Sequence, residues 1–376
     1  MTKDYKTVIS MMSGTSLDGI DACLVNIYED LSFKIVETHS MDYPEEIKAK
    51  LFLCANNKAD TKDICLLNFL VGECFAKCAN ELIDKSAFNK SDIDFISSHG
   101  QTVFHIPKDI EFGGIKTKST LQIGDISVIS ERTGIKTVGD YRTKDVAAGG
   151  LGAPLVPFAD EILFSKKKNR AIQNIGGISN VTVISTEIST FAFDNGPGNM
   201  LIDYFVKKLF NLSFDKDGHL ASRGKVDFEW LDFLLNEEYY SLKPPKTTGR
   251  ELFNDVYSER IYKTAPNNKY DVIATITALT AKTIYDSYRD FVFPKVKIDE
   301  VVLGGGGAYN KTLISLLQDY LGDIPVKTHE DFGIPNKFKE ALAFAYLGYF
   351  AVDNRPNNLP QCTGASRPVV MGKISY

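Results

Sequence analysis

The sequence predicts an α/β protein of two similar lobes, each a β-β-β-α-β-α unit, with a ligand cleft between them. Three observations carry this reading. The chain has 376 residues, long for one hydrophobic core. A three-strand opening with a polar knot after its first strand occurs near residue 8 and recurs near residue 171, with negligible identity between the copies. Glycine-rich turns stand at strand ends in both halves, where a backbone can approach a ligand closely.

In chain order, Tyr5–Met12, Ile20–Tyr28 and Phe33–His39 read as strands joined by short connections. Ile64–Leu82 reads as a helix, with the apolar residues Leu66, Leu67, Leu70, Val71, Cys74, Phe75 and Cys78 spaced by three and four. A short strand, Asp94–Ser98, runs into "SSHGQT"; Leu121–Ile123 is a further short strand and Ile126–Thr133 a helix. Ile135–Val138 then leads into "GDYRTKDVAAGGLGAPLVP". The second half begins again with Arg170–Asn174, Val181–Ile184 and Thr190–Phe193 as strands and Met200–Leu209 as a helix. Val272–Val292 is a long amphipathic helix, Asp299–Leu303 a strand, Lys311–Tyr320 a helix, Pro325–Thr328 a strand and Ala341–Ala351 the last helix. The lobes are expected at 1–150 and 151–376, with the last helix a candidate to pack back on the first lobe.

Composition is that of an ordinary globular protein, 44% apolar and 24% charged. A net charge of −5 argues against nucleic acid or membrane surfaces as partners, since both select a basic face. No apolar run approaches the roughly 18 residues of a membrane span, and MTKDYKTVIS carries no signal-peptide core. The six cysteines (Cys23, Cys54, Cys65, Cys74, Cys78, Cys362) form no metal-ligand pattern and read as reduced thiols of a cytoplasmic protein.

The knot "SGTSLDG" is richer in donors than a turn requires. Gly14 and Gly19 permit close backbone approach, and Thr15 and Ser16 with local amides suit phosphate oxygens. Asp18 among them makes sense beside Mg²⁺ or its water. The alternative is a hairpin turn whose side chains bond locally. "NIGGISN" with Gly176 and Gly177, "DNGPGN" with Gly196, and "GGGG" with Gly304, Gly305 and Gly306 are three more such turns. No Walker A or GxGxxG pattern accounts for them.

Asp194 emerges from the apolar "FAF" beside glycines, a placement that suits a general base, or an acceptor for the turn that follows. His99, Gln101 and Arg142 are groups that grip sugar hydroxyls and carboxylates; Arg142 is alternatively an ion-pair partner of Asp140 or Asp145. His105, His219 and His329 show no ligand spacing, and Ser16 with His99 lacks the GxSxG elbow of a nucleophile pair.

Taken together, "MSGTSLDGIDACLV", "SSHGQTVFH", "LQIGD", "DYRTKDVAAGGLGAPLVP", "NIGGISNVT", "FDNGPGNMLID", "TTGRELFN", "VLGGGGAYN" and "FGIPNKFKEALAFAYL" resemble the anhydro-N-acetylmuramic acid kinases, in order and over essentially the whole chain. The resemblance implies two actin-like (ribonuclease-H-like) lobes around a nucleotide cleft. It implies conversion of 1,6-anhydro-N-acetylmuramic acid, ATP and water to N-acetylmuramic acid 6-phosphate and ADP in peptidoglycan recycling, with Mg²⁺ and a homodimer. Carried over by residue, Ser13, Gly14, Thr15, Ser16, Leu17, Asp18, Gly19 and Ile20 become the phosphate loop and Asp194 the catalytic base. Gly304–Gly307 become the adenosine-side turn, while His99, Arg142 and Glu340 are sugar-side candidates. Two rivals remain at this point: a kinase of an ordinary sugar with a free hydroxyl, and an actin- or chaperone-like ATPase.

Overall fold

A computed structural model describes residues 3–14, 17, 19–164, 167–249 and 252–376. The chain divides into two compact units, residues 1–163 with 337–376 and residues 164–336.

The first unit is built on a mixed sheet of β1 (Tyr5–Ser13), β2 (Gly19–Tyr28), β3 (Phe33–Asp42), β4 (Phe95–Phe112), β5 (Ile115–Ile123) and β6 (Thr137–Gly139). The second sheet holds β7 (Arg170–Ile175), β8 (Ile178–Ile184), β9 (Phe191–Pro197), β10 (Glu300–Gly304) and β11 (Val326–Thr328). A short last strand, β12 (Lys373–Ser375), returns to pair antiparallel with β6. Strand order is β12-β6-β4-β1-β2-β3 in one sheet, with β5 paired to β4, and β11-β10-β7-β8-β9 in the other. β1 pairs antiparallel with β2 and parallel with β4, and β7 pairs antiparallel with β8 and parallel with β10. The path β3-β2-β1-β4-β6 therefore matches β9-β8-β7-β10-β11 strand for strand, and the expected duplication is present as topology.

β1 is the centre of its sheet, and Val8, Ile9 and Met11 are fully buried because both of its faces are covered. The Thr61–Lys85 helix lays Leu67, Val71, Phe75, Cys78 and Leu82 on one face, capped at its start by the Asp60 side chain bonded to the Asp63 amide. The other face takes the Lys339–Val352 helix, apolar nearly all round and buried from Ala341 to Ala351. A Cβ at Gly348 would stand 2.7 Å from the Phe95 ring, so glycine lets this helix approach β4. In the second unit the Lys269–Phe291 helix is buried on both flanks, between one core around Ile284, Tyr288 and Leu313 and another around Phe205, Trp230 and Ile276.

Two expectations are corrected. Residues 337–376 belong to the first unit rather than the second, and its other segment runs to Leu163 rather than 150, because the last helix packs on β1, β2 and β4. The strand expected over Asp94–Ser98 continues to Phe112 and forms a long hairpin with β5, turned by Gly113 and Gly114 at φ 59° and 76°. Beyond Thr102 this ribbon is largely exposed, so no apolar run marks it. The "FGGI" turn was the available signal.

Candidate active site

In the first unit the end of β1 opens into the 13–19 loop, of which Thr15, Ser16 and Asp18, the metal candidate, lie outside the described residues. The Ser13 hydroxyl donates to the Gly19 carbonyl at 2.7 Å and to Gln101 Oε1 at 2.6 Å. Gln101 Nε2 donates to the carbonyls of Gly14 and Thr102, both at 3.1 Å. Gln101 is wholly buried and both its donors are engaged in bracing the loop. Gly19 is glycine because a Cβ there would meet the Met41 carbonyl at 2.4 Å, whereas Gly14 faces open space. Leu17 turns the loop at φ 61°, with its amide bonded to the Gly14 carbonyl.

Three of the expected sugar-side groups come together. Arg142, which opens a short helix (Arg142–Ala147), donates from Nε to His99 Nε2 at 3.1 Å and from Nη1 to the Gly152 carbonyl at 2.7 Å. His99 is buried and bonded through Nδ1 to the Gly100 carbonyl; burial, then the Arg142 charge, push its imidazole down to about 3. It is therefore a neutral acceptor with its proton on Nδ1. Burial likewise lowers Arg142 to about 10, opposed by Glu340 and Asp145. The ion-pair alternative for Arg142 fails: Asp140 pairs with Lys373, and Asp145 accepts from the Gly152 amide, Asn358 and Thr363. The charges that act on the Arg142 guanidinium are those of Glu340 and, more weakly, Asp145.

Glu340 lines a cavity of ≈ 340 Å³ with Gly14, Gly19, Asp21 and Lys337. The residue is exposed, yet enough protein surrounds its carboxyl that desolvation raises it, opposed by Lys339 and Arg142. Lys337 spans 3.3 Å to Asp21.

In the second unit the three glycine turns converge at one end of the sheet. The amides of Gly198 and Asn199 donate to the carbonyls of Gly177 and Gly176, at 2.8 and 2.7 Å, which ties the β7–β8 turn to the start of the Asn199–Phe210 helix. A Cβ at Gly305, which sits at φ 78°, would meet the Ile175 carbonyl at 2.6 Å, and one at Gly304 would meet the His329 ring at 2.1 Å. Asn336 closes this turn by accepting from the Gly305 amide and donating to the Gly305 carbonyl. Gly177 stays open, with nothing nearer than the Met200 Cβ at 3.9 Å. His329, which the sequence left as an ordinary histidine, is buried beside Gly304 and bonded to Asn336 Oδ1.

Asp194 stands on β9, next to a bulge: Ser179 faces Gly196 and Asn180 faces Asp194, so Asn195 is the inserted residue. Asn195 points inward and bonds Gln173, Ser179 and Ser287, and Gln173 accepts from Tyr288. This buried network fixes the bulge and with it the half-buried Asp194, whose Oδ2 accepts the Thr248 amide at 2.9 Å. Nothing in the local pattern of "PPKTTG" pointed to that contact, because it spans 54 residues.

The sequence profile described as Anhydro-N-acetylmuramic acid kinase matches residues 6–376. The chain belongs to this family. A kinase of that name from Caldanaerobacter subterraneus subsp. tengcongensis is 49% identical over 386 residues, covering 99% of this chain and 98% of its own. Anhydro-N-acetylmuramic acid kinases from Clostridioides difficile and Bacillus cereus are 43% and 40% identical, each covering 98% of this chain and 97% and 99% of their own. Membership in the anhydro-N-acetylmuramic acid kinase family fits a chain with side-chain donors at one sheet and glycine turns at the other. Among the described residues no helix is long and apolar enough to cross a membrane, and no group of three or more His, Cys, Asp or Glu is placed to hold a metal ion.

Proposed function

We propose that this protein converts 1,6-anhydro-N-acetylmuramic acid, ATP and water to N-acetylmuramic acid 6-phosphate and ADP, in the cytoplasm and as a homodimer, as a step of peptidoglycan recycling. The observation that carries the reading is the family match over 6–376, joined by the half-buried carboxylate of Asp194 on its fixed bulge.

The glycine turns fit a nucleotide. Gly14 and Gly177 offer backbone with no atom crowding the Cβ position, while Gly304 and Gly305 are braced from behind by His329, Ile175 and Asn336. Asp18 in the 13–19 loop is the candidate that would hold Mg²⁺ entering with ATP, an ion that would supply positive charge against the phosphoryl oxygens. Asp194 takes a proton from the water that attacks C1; the C1–O6 bond breaks, and O6, still held by C6, bonds the γ-phosphorus as ADP leaves. Arg142, held by His99 and Gly152, meets the lactyl carboxylate of the sugar. Glu340, whose carboxyl is raised by desolvation, faces sugar hydroxyls as donor or acceptor.

The test measures ADP release with Mg-ATP and the anhydro sugar in ¹⁸O-water, for wild type and Asp194→Asn. The expected result is ¹⁸O at C1 of a 6-phosphorylated product, and turnover reduced by about 10²–10⁴-fold in the variant. Phosphorylated product without label means an ordinary sugar kinase. ATP hydrolysis indifferent to the sugar means the ATPase reading.

A further inference from the structure

Lys246 is buried, and among the described residues no carboxylate lies within ion-pair distance of its ammonium. Its Nζ donates instead to the carbonyls of Tyr239 and Tyr240, at 3.2 and 3.1 Å, and stands 4.8 and 5.1 Å from the ring centres of Tyr239 and Phe291. The same segment clasps Asp194 at three points. The Asp194 amide donates to the Lys246 carbonyl at 3.1 Å, the Tyr239 hydroxyl donates to the Asp194 carbonyl at 2.9 Å, and the Thr248 amide donates to Asp194 Oδ2. Residues 239–248 therefore form a strap over one side of Asp194, and the lysine ties the two ends of the strap together.

A buried ammonium bonded only to carbonyls is an expensive arrangement unless its charge has a use. Asp194 from β9 and Asp290 from the Lys269–Phe291 helix are the carboxylates that act on it; Tyr239 and Tyr240 are the other titratable groups packed against it. We propose that Lys246 is a positioning residue for Asp194: it locks the strap that orients the carboxylate and supplies the positive field that keeps the carboxylate ionised. The inference rests on the reading of Asp194 as general base. Burial lowers the Lys246 ammonium to about 8, against the pull of Asp194 and Asp290, so its charge and the field at Asp194 both fade on the alkaline side.

The experiment records kcat/KM against pH for the full chain with Mg-ATP and the anhydro sugar, in wild type, Lys246→Met, Lys246→Gln and Lys246→Arg. In parallel, the ¹³Cγ resonance of Asp194 is followed against pH in wild type. The expected result is an acid limb moved up by about one pH unit in the Met and Gln variants and by less than about 0.3 in the Arg variant. The wild-type ¹³Cγ resonance shows a second inflection as Lys246 loses its proton. Neutral variants that melt earlier but keep the wild-type acid limb overturn the proposal, because the lysine is then only a structural tie. A single ¹³Cγ inflection overturns it too, and this arm decides alone if the neutral variants do not fold. Full turnover in Asp194→Asn removes the base reading, and the wild-type titration still decides whether Lys246 sets the charge of that carboxylate.

Discussion

The two units share one strand path and differ in what stands at the same edge of it. At the end of β4 the first unit carries His99 and Gln101, and these side chains hold Arg142 and the 13–19 loop. At the end of β10, the matching strand, the second unit carries Gly304–Gly307 and little but backbone. The β1–β2 loop is braced by two side chains, Ser13 and Gln101, whereas the β7–β8 turn is braced by main-chain bonds from Gly198 and Asn199. One topology thus offers directional side-chain donors in one copy and an open backbone surface in the other. The side-chain donors suit a sugar with several distinct hydroxyls; the backbone surfaces, Gly14 in the first unit and the glycine turns of the second, suit phosphates and a nucleoside, which need close approach more than a varied donor set.

The largest effect should come from putting a side chain into the backbone surface. Gly305→Ala places a Cβ 2.6 Å from the Ile175 carbonyl at positive φ, and is expected to cost more than about 2 kcal/mol in chemical denaturation. Gly177→Ala is the control, expected to stay within about 0.5 kcal/mol of wild type while raising KM for ATP. A fold equally tolerant of both would break the comparison.

Arg142→Met removes the guanidinium from the side-chain surface. It should lower kcat/KM for the sugar by roughly 10–100-fold, the loss of a charged hydrogen bond of about 1.5–3 kcal/mol, with KM for ATP unchanged. Burial, the larger cause of the lowered His99 imidazole, remains in this variant, so the group should rise once the Arg142 charge is gone yet stay below its ordinary value, and the pH profile should show no new histidine inflection near neutrality. Gln101→Leu should cost about 1–3 kcal/mol of stability by taking the side-chain donor from the Gly14 carbonyl and one of two partners from Ser13. Its kinetic signature should fall on ATP, not on the sugar; the opposite result would return Gln101 to the sugar.

The last effect is full at neutral pH and shrinks in acid; it concerns Glu300 at the start of β10, buried among Arg170, Lys168 and Lys327. Desolvation alone would raise its carboxyl, yet bonds from Lys327, Arg170 and Lys168 outweigh it and hold the group down at about 2, against an ordinary 4.5. A depressed carboxyl stabilises fully above its unfolded value and loses that contribution as pH falls from 4.5 toward about 2. Thermal melts of Glu300→Gln should therefore fall less steeply than wild type across that window. Equal slopes would show that the cluster contributes nothing to acid stability.

What could be read from the sequence follows the range of the physics. The three-strand openings, the Thr61–Lys85 helix and the Lys269–Phe291 helix were legible because burial writes periodicity into neighbouring residues. The three glycine turns of the second unit were legible as turns, and the structure shows that they meet. The exposed part of the β4–β5 ribbon left no apolar pattern. The roles of Lys246, Asn336 and His329 were illegible, because each depends on contacts with residues far along the chain or on a turn that no short motif describes. The same holds for the bonds by which Gln101 braces the 13–19 loop, which join residues far apart in the chain.

The return of residues 337–376 to the first unit also has a consequence for synthesis. A ribosome makes all of residues 164–336 before it makes the Lys339–Val352 helix that covers β1 and β4. Until then one face of the first sheet, closed in the finished protein by Phe344 against His99 and Tyr141, has no partner from its own unit. The nascent first unit is thus an open half-core for nearly the whole of translation, and that interval is when it depends on a chaperone or on slow collapse to stay clear of other chains.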